Sequence, residues 1–258
     1  MPGQPLIPTA THPIMSALMR SKGCEPRDMY WFFDDFFDFT ADAGNDKWVS
    51  AEDAGAHTQA GGDAAGGYVL LTTSDTADEG TTVSTAFENW IFNTTKRLGF
   101  EARFKYGETT LGNASVAIGL SDTVTVEILQ DDGTGLAASF DGAAFYKAED
   151  SAYWRFGSSN AATQVACQSD AVDDFEICGG VTLQWIRAGF EYDFNDGVTG
   201  HINAWLYDET NDIMYTVPEQ DITISGLEEM HLFMSVKGHN SSEATAFYCD
   251  YIQVSQDR

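Results

Sequence analysis

The sequence predicts an all-β protein that folds as an antiparallel β-sandwich of the jelly-roll type. Apolar and polar residues alternate with a period of two in many segments after residue 30, which is typical of strands with one buried face. Helical periodicity is almost absent from the same region. Turns rich in glycine and aspartate separate the segments, as expected when antiparallel strands pack into two layers.

The predicted strands follow one another closely along the chain. Two long segments are joined by Asn195-Asp196-Gly197, and Asp-Gly supplies the left-handed backbone that a tight hairpin needs. A second hairpin is predicted around Glu149–Asp150. In chain order, the predicted strands are 31–39, 67–73, 98–106, 114–120, 140–149, 152–158, 162–168, 181–194, 198–209, 212–218, 230–238 and 244–256.

Alternation within the strands predicts which side chains face the core. Phe100 and Phe104 point to one side of their strand, and Arg103 and Lys105 point to the other. The chain holds 17 Phe and 6 Trp. Large rings of this kind fill the gap of about 10 Å between two packed sheets, so most of them are predicted to be core.

The composition excludes several classes of protein. With 258 residues, 43% of them hydrophobic and 13% aromatic, the chain can bury a large core and is not disordered. The formal net charge of -27 excludes nucleic acid as a partner and disfavours an anionic membrane surface. No run of about 18 apolar residues is present, so no membrane span is predicted. We also expect no secretory signal, because no basic region precedes an apolar stretch at the N-terminus.

Residues 1–30 differ from the rest and are predicted to form an extended N-terminal arm ahead of a single domain, 31–258. Proline at positions 2, 5, 8 and 13 blocks regular structure in the first dozen residues, and a short helix is compatible with the residues that follow. A frayed tail is the alternative to an arm that binds a partner. The apolar side chains that favour a partner-binding arm are Leu6, Ile7, Ile14, Met15, Leu18 and Met19.

Two features of the loops leave alternatives open. In segment 121–133, Asp122 is placed to cap a helical turn, although the β-rich residue types argue against a helix. Acidic loops at 73–81, 130–135 and 170–176 either keep the surface soluble or hold a structural Ca²⁺ ion. No other cofactor and no metal-ligating set is predicted.

The cysteines provide no metal or redox motif. None of the four lies in a C-x-x-C pair, which excludes the usual zinc and thioredoxin-like patterns. Cys167 and Cys178 flank an acidic segment, where either a hairpin disulfide or two reduced thiols are compatible with the sequence. The other two cysteines are Cys24 and Cys249.

The chain is predicted not to be an enzyme. Glu191 and Asp193 share one face of a strand, as the two carboxyl groups of a glycosidase must. No third acid continues the alternation, and the pair runs directly into the Asn-Asp-Gly turn, where carboxylates are usually solvated. Nucleophile, zinc-protease and phosphate-loop motifs are absent from the sequence.

Several segments together resemble a known family, the virion structural proteins that decorate the heads of tailed bacteriophages. These proteins carry a lectin/glucanase-like, or concanavalin A-like, jelly roll. The ending FYCDYIQVSQDR is the most specific match. The resemblance departs at residues 207–212, where a longer polar loop replaces an Asn-Gly turn. The matching segments are FFDDFFDF (32–39), LGFEARFKY (98–106), SVAIGLSDT (115–123), ASFDGAAFYKAED (138–150), WIRAGFEYDFNDGVTGHINAWLYDE (185–209) and FYCDYIQVSQDR (247–258).

The resemblance implies a structural function without catalysis. It implies that the chain is made in the host cytoplasm and then decorates and stabilises the outer surface of a phage head. The implied partners are the major capsid protein and two further copies of this chain in a trimer that bridges capsomers. A protein that binds only the closed shell stabilises that shell by mass action, and a trimer adds avidity.

A carbohydrate-binding, lectin-like module is the alternative function. A jelly roll with an exposed aromatic residue on one sheet, flanked by amide or acid side chains, is suited to binding host surface glycans. On this hypothesis the glycan-stacking residues are Trp154 and Trp205.

Overall fold

The computed structural model is almost entirely β-structure. It contains no α-helix in the residues that it describes, and no helix with the length and hydropathy of a membrane span. The described residues are 29–37, 39, 47–60, 67–107, 113–131, 135–137, 139–149, 151, 153–160, 163–166, 183–194, 198–224, 226–239 and 245–258.

Fifteen strands and one short 3-10 turn, Val126–Ile128, lie within these residues. The strands are β1 (Met29–Asp34), β2 (Trp48–Glu52), β3 (His57–Ala60), β4 (Val69–Thr72), β5 (Gly80–Thr85), β6 (Leu98–Gly107), β7 (Ala114–Ser121), β8 (Gly142–Lys147), β9 (Trp154–Asn160), β10 (Thr163–Ala166), β11 (Ile186–Phe194), β12 (Thr199–Asp208), β13 (Ile213–Thr223), β14 (His231–Gly238) and β15 (Ala246–Asp257).

The strands form two antiparallel sheets, which confirms the predicted all-β sandwich. Sheet A has the order β13-β12-β11-β6-β15-β4-β3, and β1 also pairs with β15. Sheet B has the order β10-β9-β8-β7-β14-β5-β2. In sheet A, β15 lies between β6 on one side and, on the other, β4 along its first half and β1 along its second half.

The core lies between the sheets and is rich in aromatic rings, as the composition predicts. In β6, Phe100 and Phe104 are fully buried, whereas Arg103 and Lys105 alternate with them and are only partly buried on the outer face. Phe100 stacks on Phe190 of β11 with ring centroids 5.0 Å apart. Offset contacts of this kind contribute about 0.5–1.5 kcal/mol beyond simple burial.

A second apolar cluster covers part of the outer face of sheet B. The segment after β7 folds across the sheet and brings Ile128 and Phe140 onto Tyr146 and Phe233. The helical turn predicted in this segment is a 3-10 turn. Its N-cap is Thr125, whereas the sequence had indicated Asp122. Asp122 instead accepts a hydrogen bond from the backbone N–H of Asp141, which links the point where the segment leaves β7 to the point where it returns at β8.

The ammonium group of Lys237 holds this covering segment in place. The side chain of Lys237 is fully buried, and its Nζ lies 3.3 Å from Glu127 Oε2 and 3.2 Å from the carbonyl oxygen of Leu129. It also pairs with Asp131. Asp131 belongs to the acidic loop 130–135, which was one of the predicted Ca²⁺-binding loops. Its carboxylate is paired with Lys237. A structural Ca²⁺ ion elsewhere stays a prediction.

Most of the predicted strands are confirmed, and three observed strands were not predicted. The segments 186–194 and 199–208 pair in register, and so do β8 and β9, as the two predicted hairpins require. The strands that the sequence did not indicate are β2, β3 and β5. Of the four cysteines, Cys249 is a free, buried thiol, and burial raises its pKa. Cys24, Cys167 and Cys178 lie outside the described residues.

Candidate functional site

The outer face of sheet A presents an indole ring at Trp205. This residue lies in β12 between Ala204 and Leu206, which are both core residues, so its side chain points away from the core. Its register partner in β11 is Gly189. A Cβ atom at Gly189 would lie 2.7 Å from Cζ2 of the indole. The ring therefore lies against the bare backbone of β11, and it stays partly exposed.

Hydrogen-bonding side chains flank Trp205 along β12. Asn203 and Tyr207 point to the same face, each about 7 Å from Trp205 along the strand, because alternate residues of a strand share a face. Asn203 donates from Nδ2 to Glu219 Oε2 at 3.2 Å. The Tyr207 hydroxyl donates to Asp212 Oδ1 at 2.6 Å, and this bond raises the pKa of Tyr207. An aromatic surface between amide and hydroxyl groups is suited to a ligand with both apolar and hydroxyl-bearing surfaces.

A charged network lies next to Tyr207 on the same face. Arg103 donates to Glu209 at 2.8 Å and to Asp250 at 2.8 Å, and Arg187 donates to Glu209 at 2.5 Å. Burial alone would raise the pKa of Glu209, but the hydrogen bonds from both arginines outweigh burial and lower that pKa. Glu209 is therefore ionised and fully engaged, which suits a structural role.

Trp185, which precedes β11, differs from Trp205 because cations cover it. The guanidinium carbon of Arg103 lies 4.2 Å from the centroid of its ring, and Lys105 Nζ lies 4.6 Å away. Cation–π contacts of this kind hold the ring in place. Part of the Trp185 ring is therefore occupied by cations, although the residue lies on the same side of sheet A as Trp205.

Glu101 is on the outer face but is sealed from solvent. It accepts a hydrogen bond from the Tyr251 hydroxyl at 2.5 Å and one from Gln253 at 3.3 Å. Burial raises the pKa of Glu101 despite these bonds. A ligand on the surface does not reach this carboxyl, so Glu101 is not placed to act as a catalytic acid.

The acid pair that the sequence suggested lies on β11. Glu191 is partly buried, and burial raises its pKa. Asp193 is exposed, and its Oδ1 accepts the backbone N–H of Phe194 at 2.9 Å where the strand ends. This is the ordinary use of an acid at a strand end, so the pair gives no positive support to catalysis.

Sheet A also exposes an aromatic stripe on β1. Trp31 and Phe33 are 52% and 42% exposed, with ring centroids 6.0 Å apart. Phe33 stacks on Tyr251 of β15, also at 6.0 Å. This stripe was not predicted from the sequence. The signal that was available is the alternation of Trp31 and Phe33 with Phe32, which packs against the core.

The structure separates the two predicted glycan-stacking tryptophans. Trp205 lies on the outer face, but Trp154 is 0% exposed and packs in the core, with its ring centroid 5.0 Å from that of Phe104. The prediction for Trp154 is therefore wrong, because a sugar does not reach a side chain between the sheets. The predicted arm residues, Leu6, Ile7, Ile14, Met15, Leu18 and Met19, lie outside the described residues.

A serine, a histidine and an aspartate form a hydrogen-bonded line near the end of β14. His239 Nδ1 lies 3.2 Å from Asp78 Oδ1, and its Nε2 lies 2.9 Å from Ser115 Oγ. This is the order of a catalytic triad. Ser115, however, is 0% exposed, so an acyl substrate does not reach its hydroxyl. We interpret the line as a tie between β7, β14 and the loop before β5.

One group of side chains in the described residues has the composition of a metal site. The ligand atoms of His201, Glu219 and Asp221 all lie within 4.8 Å of one another. They are on the outer face of sheet A, at the edge formed by β12 and β13. This group was not predicted from the sequence, because β13 was predicted to end at residue 218, before both acids.

Comparison with known proteins supports the fold. Peanut lectin matches with a TM-score of 0.58 and 12% identity, over 89% of this chain and 97% of the lectin. Arcelin-5, a lectin-like defense protein from Phaseolus vulgaris, matches with a TM-score of 0.53 and 10% identity, over 90% and 100% of the two chains. The chain has a legume-lectin-like jelly-roll fold. This confirms the predicted concanavalin A-like architecture.

A protein of unknown function from Shewanella oneidensis matches equally well. Its TM-score is 0.55 at 13% identity, over 89% of this chain and 87% of that one. No protein-family model and no curated protein matches this chain. Identities this low establish the fold and not the function. The resemblance to phage head decoration proteins finds no support in these matches and stays a prediction.

Proposed function

We propose that this chain is a non-enzymatic carbohydrate-binding protein whose sugar-stacking residue is Trp205. The observation that carries the proposal is the position of its indole, which lies over Gly189 and stays partly exposed on the outer face of sheet A. A flat aromatic surface supported by backbone is pre-organised, so little conformational entropy is lost when a ligand stacks on it.

The chemistry around Trp205 suits a neutral sugar. The C–H face of a pyranose ring is apolar and packs on an aromatic ring, while its hydroxyl groups need donors and acceptors at the edge. Asn203 and Tyr207 supply an amide and a hydroxyl on either side of the indole. The net charge of -27 repels acidic polysaccharides. We therefore expect neutral glycans to be preferred.

The fold is compatible with this function. Two of the matching structures are a lectin and a lectin-like protein, and the architecture they share with this chain is a rigid sandwich. Strands hold a binding residue more firmly than loops do, because backbone pairing on both sides fixes its position. β12 is paired on both sides, with β11 and with β13.

Substitution of Trp205 by alanine tests the proposal. Glycan-array screening of the full chain would identify a ligand, and calorimetry would then measure its Kd. We expect Trp205→Ala to weaken binding at least ten-fold, which corresponds to about 1.4 kcal/mol. Trp205→Phe keeps a smaller ring, and we expect a smaller loss. Because the indole is outside the core, the melting temperature of both variants should stay close to that of the wild type.

Trp31→Ala is the matched control for this experiment. It also removes a partly exposed tryptophan from sheet A. This tryptophan lies on β1, which is separated from β11 by β6 and β15. We expect it to leave glycan affinity unchanged. Unchanged affinity in Trp205→Ala, or no glycan binding by the wild type, would contradict the proposed function.

We propose attachment to a phage head as a second candidate function, favoured by the stripe of Trp31 and Phe33. Aromatic side chains exposed side by side are typical of protein interfaces. The proposed partners are the major capsid protein and, within a trimer, other copies of this chain. The sequence resemblance to head decoration proteins supports the same candidate.

The stripe provides a test of the second candidate. We expect the double substitution Trp31→Ser with Phe33→Ser to reduce cosedimentation with assembled heads at least ten-fold, while Trp205→Ala leaves it unchanged. Light scattering would show whether the wild type is a trimer. Equal cosedimentation of the double variant and the wild type would contradict a role for the stripe.

A further inference from the structure

We infer that His201, Glu219 and Asp221 form a binding site for a divalent transition-metal ion of the Zn²⁺ type. His201 Nδ1 lies 2.5 Å from Asp221 Oδ1 and 3.7 Å from Glu219 Oε1. Three donor atoms, one from an imidazole and two from carboxylates, therefore converge on one small region of the surface. This inference does not depend on carbohydrate binding.

The register of the β12–β13 hairpin brings the three side chains together. His201 is the direct partner of Asp221 across the two strands. Glu219 precedes Asp221 by two residues, so both acids point to the same face. A β-bulge between Ile202 and Ala204 places two residues of β13 opposite a single residue of β12 at this point. Bulges re-aim side chains, and this one lies directly beside the cluster.

The three ligand atoms are close enough together to bind a tetrahedral zinc ion after small adjustments. Zn²⁺ binds imidazole nitrogen and carboxylate oxygen at about 2.0–2.2 Å, so two ligand atoms on the ion are about 3.4 Å apart. The observed separations of 2.5 and 3.7 Å bracket this value. Small side-chain rotations are therefore enough to bind the ion. Three protein ligands leave the fourth position of the ion to water.

The identity of the ligands selects the class of metal. Ca²⁺ and Mg²⁺ prefer sites built from oxygen atoms alone, whereas imidazole suits Zn²⁺, Cu²⁺ and Ni²⁺. The site is also accessible, because the Glu219 and Asp221 side chains are 55% and 69% exposed. Asn203 donates to the second oxygen of Glu219, which orients that carboxylate. The net charge of -27 raises the local concentration of cations.

Two other histidines in the described residues, His231 and His239, lack the set of ligands that a metal site needs. His231 Nε2 lies 3.0 Å from Glu88, and no further carboxylate of the described residues completes a group of three ligand atoms within 4.8 Å of one another there. His239 is almost fully buried, and Ser115 occupies its Nε2. His231 therefore provides a matched control, because its exposure is close to that of His201 and it also contacts one acid.

Calorimetric titration of the full-length protein with ZnCl₂, in a buffer that does not bind zinc, tests the inference. We expect one site in the wild type whose affinity falls at least ten-fold in His201→Ala and in Asp221→Asn. His231→Ala should retain the wild-type affinity. Millimolar Mg²⁺ or Ca²⁺ should not displace the zinc ion. Circular dichroism without metal would verify that all variants are folded.

Thermal unfolding gives a second readout. Zinc should raise the melting temperature of the wild type and of His231→Ala, but not that of His201→Ala, because an ion that binds only the folded state stabilises it. Equal zinc affinity in His201→Ala and the wild type, or no binding by the wild type, would overturn the inference. Neither result would affect the Trp205 experiment, which is performed in EDTA.

Discussion

Replacement of Trp154 by alanine is expected to lower the free energy of unfolding by about 3–5 kcal/mol. Trp154 is fully buried between the sheets and contacts Phe104 and Tyr106, with ring centroids 5.0 and 6.2 Å away. Alanine would leave a cavity that neighbouring rings on paired strands cannot close. Urea unfolding followed by circular dichroism would measure the loss as a lower midpoint.

Trp154→Phe and Trp205→Ala are the controls for this experiment. The indole nitrogen of Trp154 is buried and has no hydrogen-bond partner among the described residues, so phenylalanine costs packing but none of the observed hydrogen bonds. We expect Trp154→Phe to lose less than half as much stability as Trp154→Ala. Trp205→Ala should change the midpoint little, because its ring is partly exposed. An unfolding midpoint of Trp154→Ala equal to that of the wild type would contradict the core assignment.

Glu209→Ala is expected to cost about 2–3 kcal/mol, because it leaves two partly buried arginines without their shared partner. Arg103 and Arg187 both donate to this carboxylate. Arg103 keeps its bond to Asp250 in this variant. Chemical denaturation at pH 7 would measure the effect. A loss below about 0.5 kcal/mol would place Glu209 among ordinary surface ion pairs.

The same network predicts how stability depends on pH. The pKa of Glu209 is lowered from its ordinary value of 4.5 in the folded state, so the folded protein binds the proton less readily than the unfolded chain. Its contribution is therefore present above pH 4.5 and is lost as pH falls through the lowered pKa. Glu209→Gln, which does not titrate, should show a shallower loss of stability below pH 4.5. If the stability of Glu209→Gln fell with pH as steeply as that of the wild type, this prediction would be contradicted.

The strand faces and one long hairpin were predictable from the sequence. Ala204 and Leu206 are core residues, and Trp205 between them is on the outer face, as strict alternation indicates. Asn-Asp-Gly joins two segments that pair residue by residue from 186 to 194 and from 199 to 208. Both features depend on local sequence alone, which is why they could be predicted.

β5 was missed because both of its faces are largely covered. Its sequence, GTTVST, was included in part in an acidic loop, yet all but one of its residues are buried. Thr82 bonds Ser235 on the neighbouring strand at 2.7 Å and the carbonyl of Thr125 in the covering segment at 3.2 Å. A strand covered on both sides has no reason to alternate, and small hydroxyl side chains fit where a segment crosses the sheet.

Trp154 shows that a signal present in the sequence was overlooked. It alternates with Arg155 and shares a face with Phe156, so the pattern already placed it on the apolar side. The accessibility of Trp205, in contrast, depends on Gly189 in a neighbouring strand. Arg103 binds Glu209 and Asp250, which lie 106 and 147 positions further along the chain. Contacts over such distances are set by strand order, which the sequence pattern does not reveal.

The position of β15 has a consequence for biosynthesis. All other described strands precede it in the chain, yet it occupies the interior of sheet A, between β6 and the pair of strands β1 and β4. Until residue 257 has left the ribosome, the nascent polypeptide lacks the strand that joins those edges, and its aromatic side chains stay open to chaperones. Folding of this sheet therefore waits for β15 and depends on contacts of long sequence separation, which form slowly.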